Sequence, residues 1–364
     1  MDVGNLHSCA CRRRRILVVD RPPNALERAT KIVTVPEWRG ANRGSALSYM
    51  WLTNGDFLLS KPDERSEEHL FRGSLGKYPI ELSPEPPIKM PARIKGFSNL
   101  VDIYTSHQFS PDGEWALCFT YSAGLNTVTA FQIRGAKIRV YSFESASSQD
   151  NIDPIWSNDG KTIYCFDGTS KKLHRFRPYI DAKETLTVLS LPEWIVGSDV
   201  TVLGVLESGR ILVQKTHTPT TNGTALIFPA PELIELYEVG YGTDKKRSLL
   251  WSMRFHSSPE EVNYPLVLVS PDKKRLFLGI ASIRQTPFLE WLHQRFDWIP
   301  QGNYGVEQGW VMNLDGSGKH LIGEFTVPME EGKERPWIVD PKWTPDGKKI
   351  SFLYDDGIYT IPAD

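Results

Sequence analysis

No apolar run in this 364-residue chain approaches the ~18 residues of a membrane-crossing helix, so no transmembrane segment is expected. Charge of one sign is scarce too. The 42 basic and 44 acidic side chains leave a formal net charge of −2, with no basic excess to hold nucleic acid or an anionic membrane. Four cysteines cannot make a disulfide framework in a chain of this length. Cys118 and Cys165 each stand five residues after a turn glycine, Gly113 and Gly160, so they read as equivalent core positions too far apart to bridge. Cys9 and Cys11 have only His7 nearby, too few ligands for a metal. The basic run at 12–15 is followed by only four apolar residues, so no signal peptide is visible. A cytoplasmic protein is expected on that ground, with export as the alternative.

Catalytic signatures are missing as well. A propeller-linked peptidase would carry a Gly-x-Ser-x-Gly elbow, and none occurs; Ser122 in Tyr121-Ser122-Ala123-Gly124 lacks the first glycine and sits at a predicted turn. The eight histidines show neither His-x-His nor His-Glu-x-x-His spacing, and no glycine-rich nucleotide loop is present. No cofactor is expected. A metal centre assembled from separate segments would leave no local spacing to read.

Turns and aromatics are plentiful: 28 Gly and 26 Pro punctuate strands rich in 11 Trp, 13 Tyr and 16 Phe. One unit recurs. Trp343-Thr344-Pro345-Asp346-Gly347 ends one strand and opens another, because Pro presets φ near −65°, Asp bonds its own backbone and Gly tolerates φ > 0. Phe109-Ser110-Pro111-Asp112-Gly113 and Trp156-Ser157-Asn158-Asp159-Gly160 repeat it, and Val269-Ser270-Pro271-Asp272-Lys273 does so with Lys in place of Gly. Weaker copies begin at Trp51 and Val205. The spacings are 58, 47, 49, 64 and 74 residues; those in the forties match a four-stranded antiparallel blade and the larger ones a blade plus an insertion.

The expected fold is therefore all-β: a six-bladed β-propeller of four-stranded antiparallel blades over 30–364, preceded by a tail at 1–29. The last repeat runs out after three strands. A strand at 31–35 is expected to supply the fourth and close the ring, since an open edge there is a liability. Further strands are expected at 16–19, which has no place in this scheme, and at 78–82, with a surface connection at 83–91.

These repeats resemble the TolB-like propeller family over residues 46–364. The turn matches at 109–113, 156–160 and 343–347, and the hairpin Trp310-Val311-Met312-Asn313-Leu314-Asp315-Gly316 matches closely. The resemblance implies a binding scaffold without chemistry of its own, often exported in bacteria.

Two features carry functional expectations. Asp153 and Asp340 each precede a repeat Trp by three residues, with His107 near the same offset in the second repeat. At the mouth of a central channel they would hold a cation or a basic peptide; an Asp-Pro turn opening a strand is the plain alternative. The insertions at about 217–231 and 285–306 should emerge on that same face. The second places Phe288, Trp291, Leu292 and Phe296 at helical spacing, with Trp298 beyond, and the first contains Phe228. These aromatics either bind a protein or peptide partner or cap the blade edges. The expectation is a monomeric, non-catalytic binding scaffold, the alternative a propeller lyase or hydrolase acting on a saccharide or peptide at the channel mouth.

Overall fold

The computed structural model describes residues 24–35, 48–62, 68–74, 80, 82–84, 109–122, 125–133, 135, 137–144, 154–157, 159–167, 172–179, 187–192, 194, 199–218, 231–240, 246–255, 261–285, 291–292, 295, 303–328, 339–354 and 357–364. A short helix, α1 (Ala25–Arg28), and the strand β1 (Thr30–Thr34) come first. Blade 1 contains β2 (Ser48–Trp51), β3 (Asp56–Pro62), β4 (Glu68–Ser74) and β5 (Ser83–Pro84). Blade 2 contains β6 (Trp115–Ser122), β7 (Leu125–Gln132) and β8 (Ile138–Glu144), and an isolated bridge, Phe109 to Ala116, marks its first strand. Blade 3 contains β9 (Pro154–Trp156), β10 (Ile163–Asp167), β11 (Lys172–Phe176) and β12 (Thr187–Ser190). Blade 4 contains β13 (Val200–Val205), β14 (Ile211–His217), β15 (Leu233–Val239) and β16 (Arg247–Arg254). Blade 5 contains β17 (Glu261–Val269), β18 (Arg275–Gln285), β19 (Asn303–Asn313) and β20 (His320–Pro328). Blade 6 contains β21 (Val339–Trp343), β22 (Lys349–Tyr354) and β23 (Gly357–Pro362). These are six antiparallel sheets in a ring, a six-bladed β-propeller.

The recurring turn is built the same way in blades 2, 3, 5 and 6. The hydroxyls of Ser110, Ser157, Ser270 and Thr344 donate to the aspartate two residues on at 2.5–2.7 Å. Each hydroxyl also accepts the amide five residues on, at 2.9–3.1 Å. The residue after the aspartate takes the left-handed conformation: φ is +71° at Gly113, +66° at Gly160 and +67° at Gly347. Lys273 adopts φ +57° in the same slot, and its stem lies against Gly204 of blade 4. That interblade contact accounts for a lysine where glycine would be unstrained.

A single blade cannot bury both faces, and the core lies between blades. Trp115, Tyr141, Phe143, Ile163, Cys165 and Phe176 join blades 2 and 3; Val202, Val213, Tyr164 and Leu173 join blades 3 and 4. Leu212, Leu236, Val267 and Leu278 join blades 4 and 5, while Phe277, Val311, Trp343 and Phe352 join blades 5 and 6. Of the residues before the turns, Trp343, Trp156, Val205 and Val269 pack in these seams, Trp51 packs between blades 6 and 1, and Phe109 is buried.

The N-terminal segment pairs with the last blade. β1 lies antiparallel to β23, Thr30 opposite Thr360 and Thr34 opposite Gly357. Gly357 is required there, because a Cβ would meet the Val33 carbonyl oxygen at 2.2 Å. Backbone cannot yield as a flexible side chain would. Gly357→Ala is expected to cost about 1–3 kcal/mol, read as a lower urea midpoint with unchanged slope.

Two expectations need correction. No strand forms at 80 or 82, the described residues within 78–82; blade 1 ends instead on the two-residue β5 at Ser83–Pro84, inside the stretch expected as connection. The 285–306 insertion shrinks at both ends, because β18 runs on to Gln285 and β19 begins at Asn303. The eleven-residue pairing of these strands continues the blade 5 ladder into what reads locally as loop. The expected strand at 16–19 lies outside the described residues.

Candidate functional site

Antiparallel blades put the connection between second and third strands on the face where each first strand begins. Asp340, at the start of β21, and Trp291, between β18 and β19, therefore share a face. His107, Asp153, Phe228, Phe288, Phe296 and Trp298 lie outside the described residues.

Asp340 has φ +51°, a conformation a non-glycine residue holds only when its surroundings impose it. Its carboxylate pairs with the Lys342 ammonium, and its carbonyl accepts the Tyr49 hydroxyl of blade 1 at 3.1 Å. Tyr49 also meets the Ser351 hydroxyl at 2.9 Å, which accepts Trp51 Nε1–H at 2.7 Å and donates to the Lys342 carbonyl at 3.1 Å. Lys342 Nζ lies 4.8 Å from the Tyr49 ring centroid. Burial, reinforced by the Asp340 charge, raises the Tyr49 pKa well above the usual phenol value. Burial likewise lowers Lys342, against the opposing pull of Asp340. This seam between blades 6 and 1 is thus a closed polar network, with Asp340 its one half-open member. Among the described residues no three His, Cys, Asp or Glu side chains are grouped to hold a metal.

Trp291 is 46% exposed and helical, and the Arg295 guanidinium lies 4.3 Å from its ring centroid. That spacing agrees with the expected helix turn. Two further exposed apolar side chains of blade 5 came unannounced: Tyr264 and Leu266 in β17 are 38% and 42% exposed. Blade 5 stands proud of blade 6, since β18 has eleven residues where β22 has six. Tyr264 and Leu266 line a cavity of about 130 Å³ between the two blades. Its blade 5 wall carries Gly279, Gly309 and Gly323, aligned strand by strand in register. The Phe277 ring covers the first two and Ala25 of α1 the third, where added Cβ atoms would clash at 2.7–3.2 Å. Register, not local pattern, aligns those glycines, so sequence reading had no signal for them.

Between blades 2 and 3 lies His174, 4% exposed, opposite Cys165 across the ladder and stacked on Phe143 at 4.0 Å. Among the described residues neither ring nitrogen has a hydrogen-bond partner. Burial lowers its pKa; the Asp167 carboxylate pulls upward and Lys172 downward.

No family model matches the chain, and no curated protein matches it. Among solved structures, a putative TolB from Agrobacterium tumefaciens is similar at 15% identity and TM-score 0.41, covering 87% of this chain and 89% of that one. The β-propeller domain of Cps50 (Swd1) from Myceliophteria thermophila aligns at 10% identity and TM-score 0.42, over 91% and 99% of the two chains. The periplasmic gluconolactonase PpgL of Pseudomonas aeruginosa aligns at 10% and 0.37, over 87% and 86%. Likeness this distant carries nothing about function.

Proposed function

We propose that this chain is a non-catalytic, TolB-like binding propeller whose partner is a protein or an extended peptide. The partner would dock on the face bearing the blade 4 and 5 connections. One observation carries the reading: Tyr264, Leu266 and Trp291, three of the six exposed large hydrophobic side chains among the described residues, all belong to blade 5, Trp291 on that face and the other two on the blade 5–6 cavity. Large apolar groups concentrated in this way mark interaction surfaces more often than scattered ones do. Asp340 at the same face, and Phe228, Phe288, Phe296 and Trp298 in its connections, complete the proposed surface.

The test is selection of peptides from a displayed library on the whole protein, followed by titration against variants. Trp291→Ala and Leu266→Ser are each expected to weaken selected peptides at least about tenfold, a loss of ~1.4 kcal/mol, while the melting temperature stays within a degree or two. Unchanged affinity would remove the surface. A large melting shift in Trp291→Ala would make that tryptophan a cap of the blade edge.

The rival reading is an enzyme with a metal held by Asp153, Asp340 and His107. It draws support from the strained backbone of Asp340, and elemental analysis of the purified protein separates the two.

A further inference from the structure

We infer that the opposite face, at the seam of blades 2 and 3, carries a saccharide subsite. On this turn face three of the other seams have a neighbour's side chain against or close to the turn. Leu52 of blade 1 lies against Gly113, where an added Cβ would meet its methyls at 3.0 and 3.1 Å, and the Thr53 amide donates to the Pro111 carbonyl at 2.8 Å. The Lys273 stem occupies the space beside Gly204 between blades 4 and 5. Between blades 5 and 6, Arg275 donates to the Gly347 carbonyl and lies 5.2 Å from the Trp343 ring centroid. Between blades 2 and 3, Pro111 and Asp112 lie beside Gly160, 3.4–3.7 Å from an added Cβ, and a cleft of about 510 Å³ is lined by Asp112, Asp159, Lys161, Thr162, Arg177 and Tyr179.

The lining divides into groups already committed and groups still available. Asp112 Oδ1 accepts the Ser110 hydroxyl and the Glu114 amide, and its Oδ2 accepts the Tyr179 hydroxyl at 2.9 Å. The Tyr179 ring also stands edge-on to buried Trp115, centroids 5.4 Å apart. Tyr179 is therefore 46% exposed yet fixed at both its hydroxyl and its ring. Asp159 spends Oδ1 on the Ser157 hydroxyl and the Lys161 amide. The Lys161 ammonium and the Arg177 guanidinium form no ion pair within 4.0 Å among the described residues, and both line the cleft.

Two carboxylates and two cations cancel, so the cleft favours neither a free anion nor a free cation. What it presents is a rigid aromatic platform bordered by both donors and acceptors. A neutral pyranose is the complement: one apolar C–H face to lie on the ring, and hydroxyls that both give and take hydrogen bonds.

Saturation-transfer NMR and calorimetric titration of the full chain with cello-, malto- and chito-oligosaccharides, and with oligogalacturonate, test this. At least one neutral series is expected to receive transfer at its ring protons. Tyr179→Ala should weaken it about five- to tenfold, and Tyr179→Phe, which keeps the platform, by less. Melting temperatures equal to the parent establish that both variants are folded; if Tyr179→Ala is not, Arg177→Ala replaces it, with loss of affinity expected. Transfer to no series, transfer to oligogalacturonate alone, or affinity unmoved by the variants each overturns the inference. The blade 5 surface is unaffected by any of these outcomes, because its test uses peptides and the other face.

Discussion

A chain lacking residues 1–36 is expected to melt far below the full-length protein, whereas one lacking residues 1–12 melts at the same temperature. The difference follows from what the segment 24–35 touches. Asn24 caps α1 through the Leu26 amide and bridges to Glu324 on the outer strand of blade 5. Arg28 donates to the Ile322 carbonyl at 2.6 Å and to the Asp364 carbonyl at 3.3 Å, joining blade 5 to the end of blade 6. Ala25 sits on Gly323, and β1 covers the edge of β23. Ile32, Val33 and Val35 then pass into the core shared with Tyr49, Trp51 and Phe57 of blade 1. At about 1.5–3 kcal/mol for each fully buried large apolar side chain, those three alone contribute roughly 5–9 kcal/mol, against a typical total stability of about 5–15 kcal/mol. The uncovered β23 edge would also promote association. Equal melting temperatures for the two truncations would show that the segment does not hold blades 5, 6 and 1 together.

His174→Phe is expected to stabilise the protein and to flatten its acid limb. At neutral pH the replacement removes two buried, unpaired ring nitrogens from a stack that already contains Phe143 and Phe176, for a gain of about 1–2 kcal/mol. The pH dependence has a definite sign. Burial holds the folded His174 pKa below the ordinary value, so the unfolded chain takes up a proton first. The parent's stability is therefore complete above about pH 6.5 and falls as pH drops from there toward the depressed folded value, by at most ~1.4 kcal/mol per pH unit. Asp167, Cys165 and Lys172 are the titratable groups nearest on its own blade, and Tyr141 faces it from blade 2. The turn aspartates act in another window. Asp159 is lowered by the Ser157 hydroxyl; Asp272 and Asp346 are lowered by Ser270 and Thr344 despite burial. Their contribution is present above the unfolded carboxylate value near pH 4 and is lost as pH falls below it. Denaturant melts of parent and variant between pH 5 and 7 read the histidine alone. Parallel profiles would mean that His174 takes up its proton as readily in the folded seam as in the unfolded chain, so that burial does not hold its pKa down.

Much of the fold was legible because its determinants are local. The hydroxyl–aspartate–glycine turn is written within seven residues, and each copy signals the end of a first strand wherever it falls. The alternation after it signals a half-buried strand, and the count of turns gives the count of blades. The candidate site was less legible. Asp340 could be picked out by its offset from Trp343, but not its pairing with Lys342 or its contact with Tyr49, 291 residues away in sequence. Tyr264 and Leu266 looked like ordinary strand residues; they are exposed and line the cavity between blades 5 and 6.

The sequence by itself determined the repeat, the turn chemistry, the class of fold and the absence of the usual catalytic motifs, since each is a matter of residue type at short spacing. Only the tertiary structure decided which seams are filled and which stay open. Gly113, Gly204 and Gly347 face Leu52, Lys273 and Arg275 from adjoining blades and Gly160 faces Pro111 and Asp112, while a cleft beside Tyr179 opens between blades 2 and 3. The physical reason is that a blade's surface is completed by its neighbour. What a side chain does in this protein depends on register and contact across the seam, and neither is written in the stretch of chain that carries it.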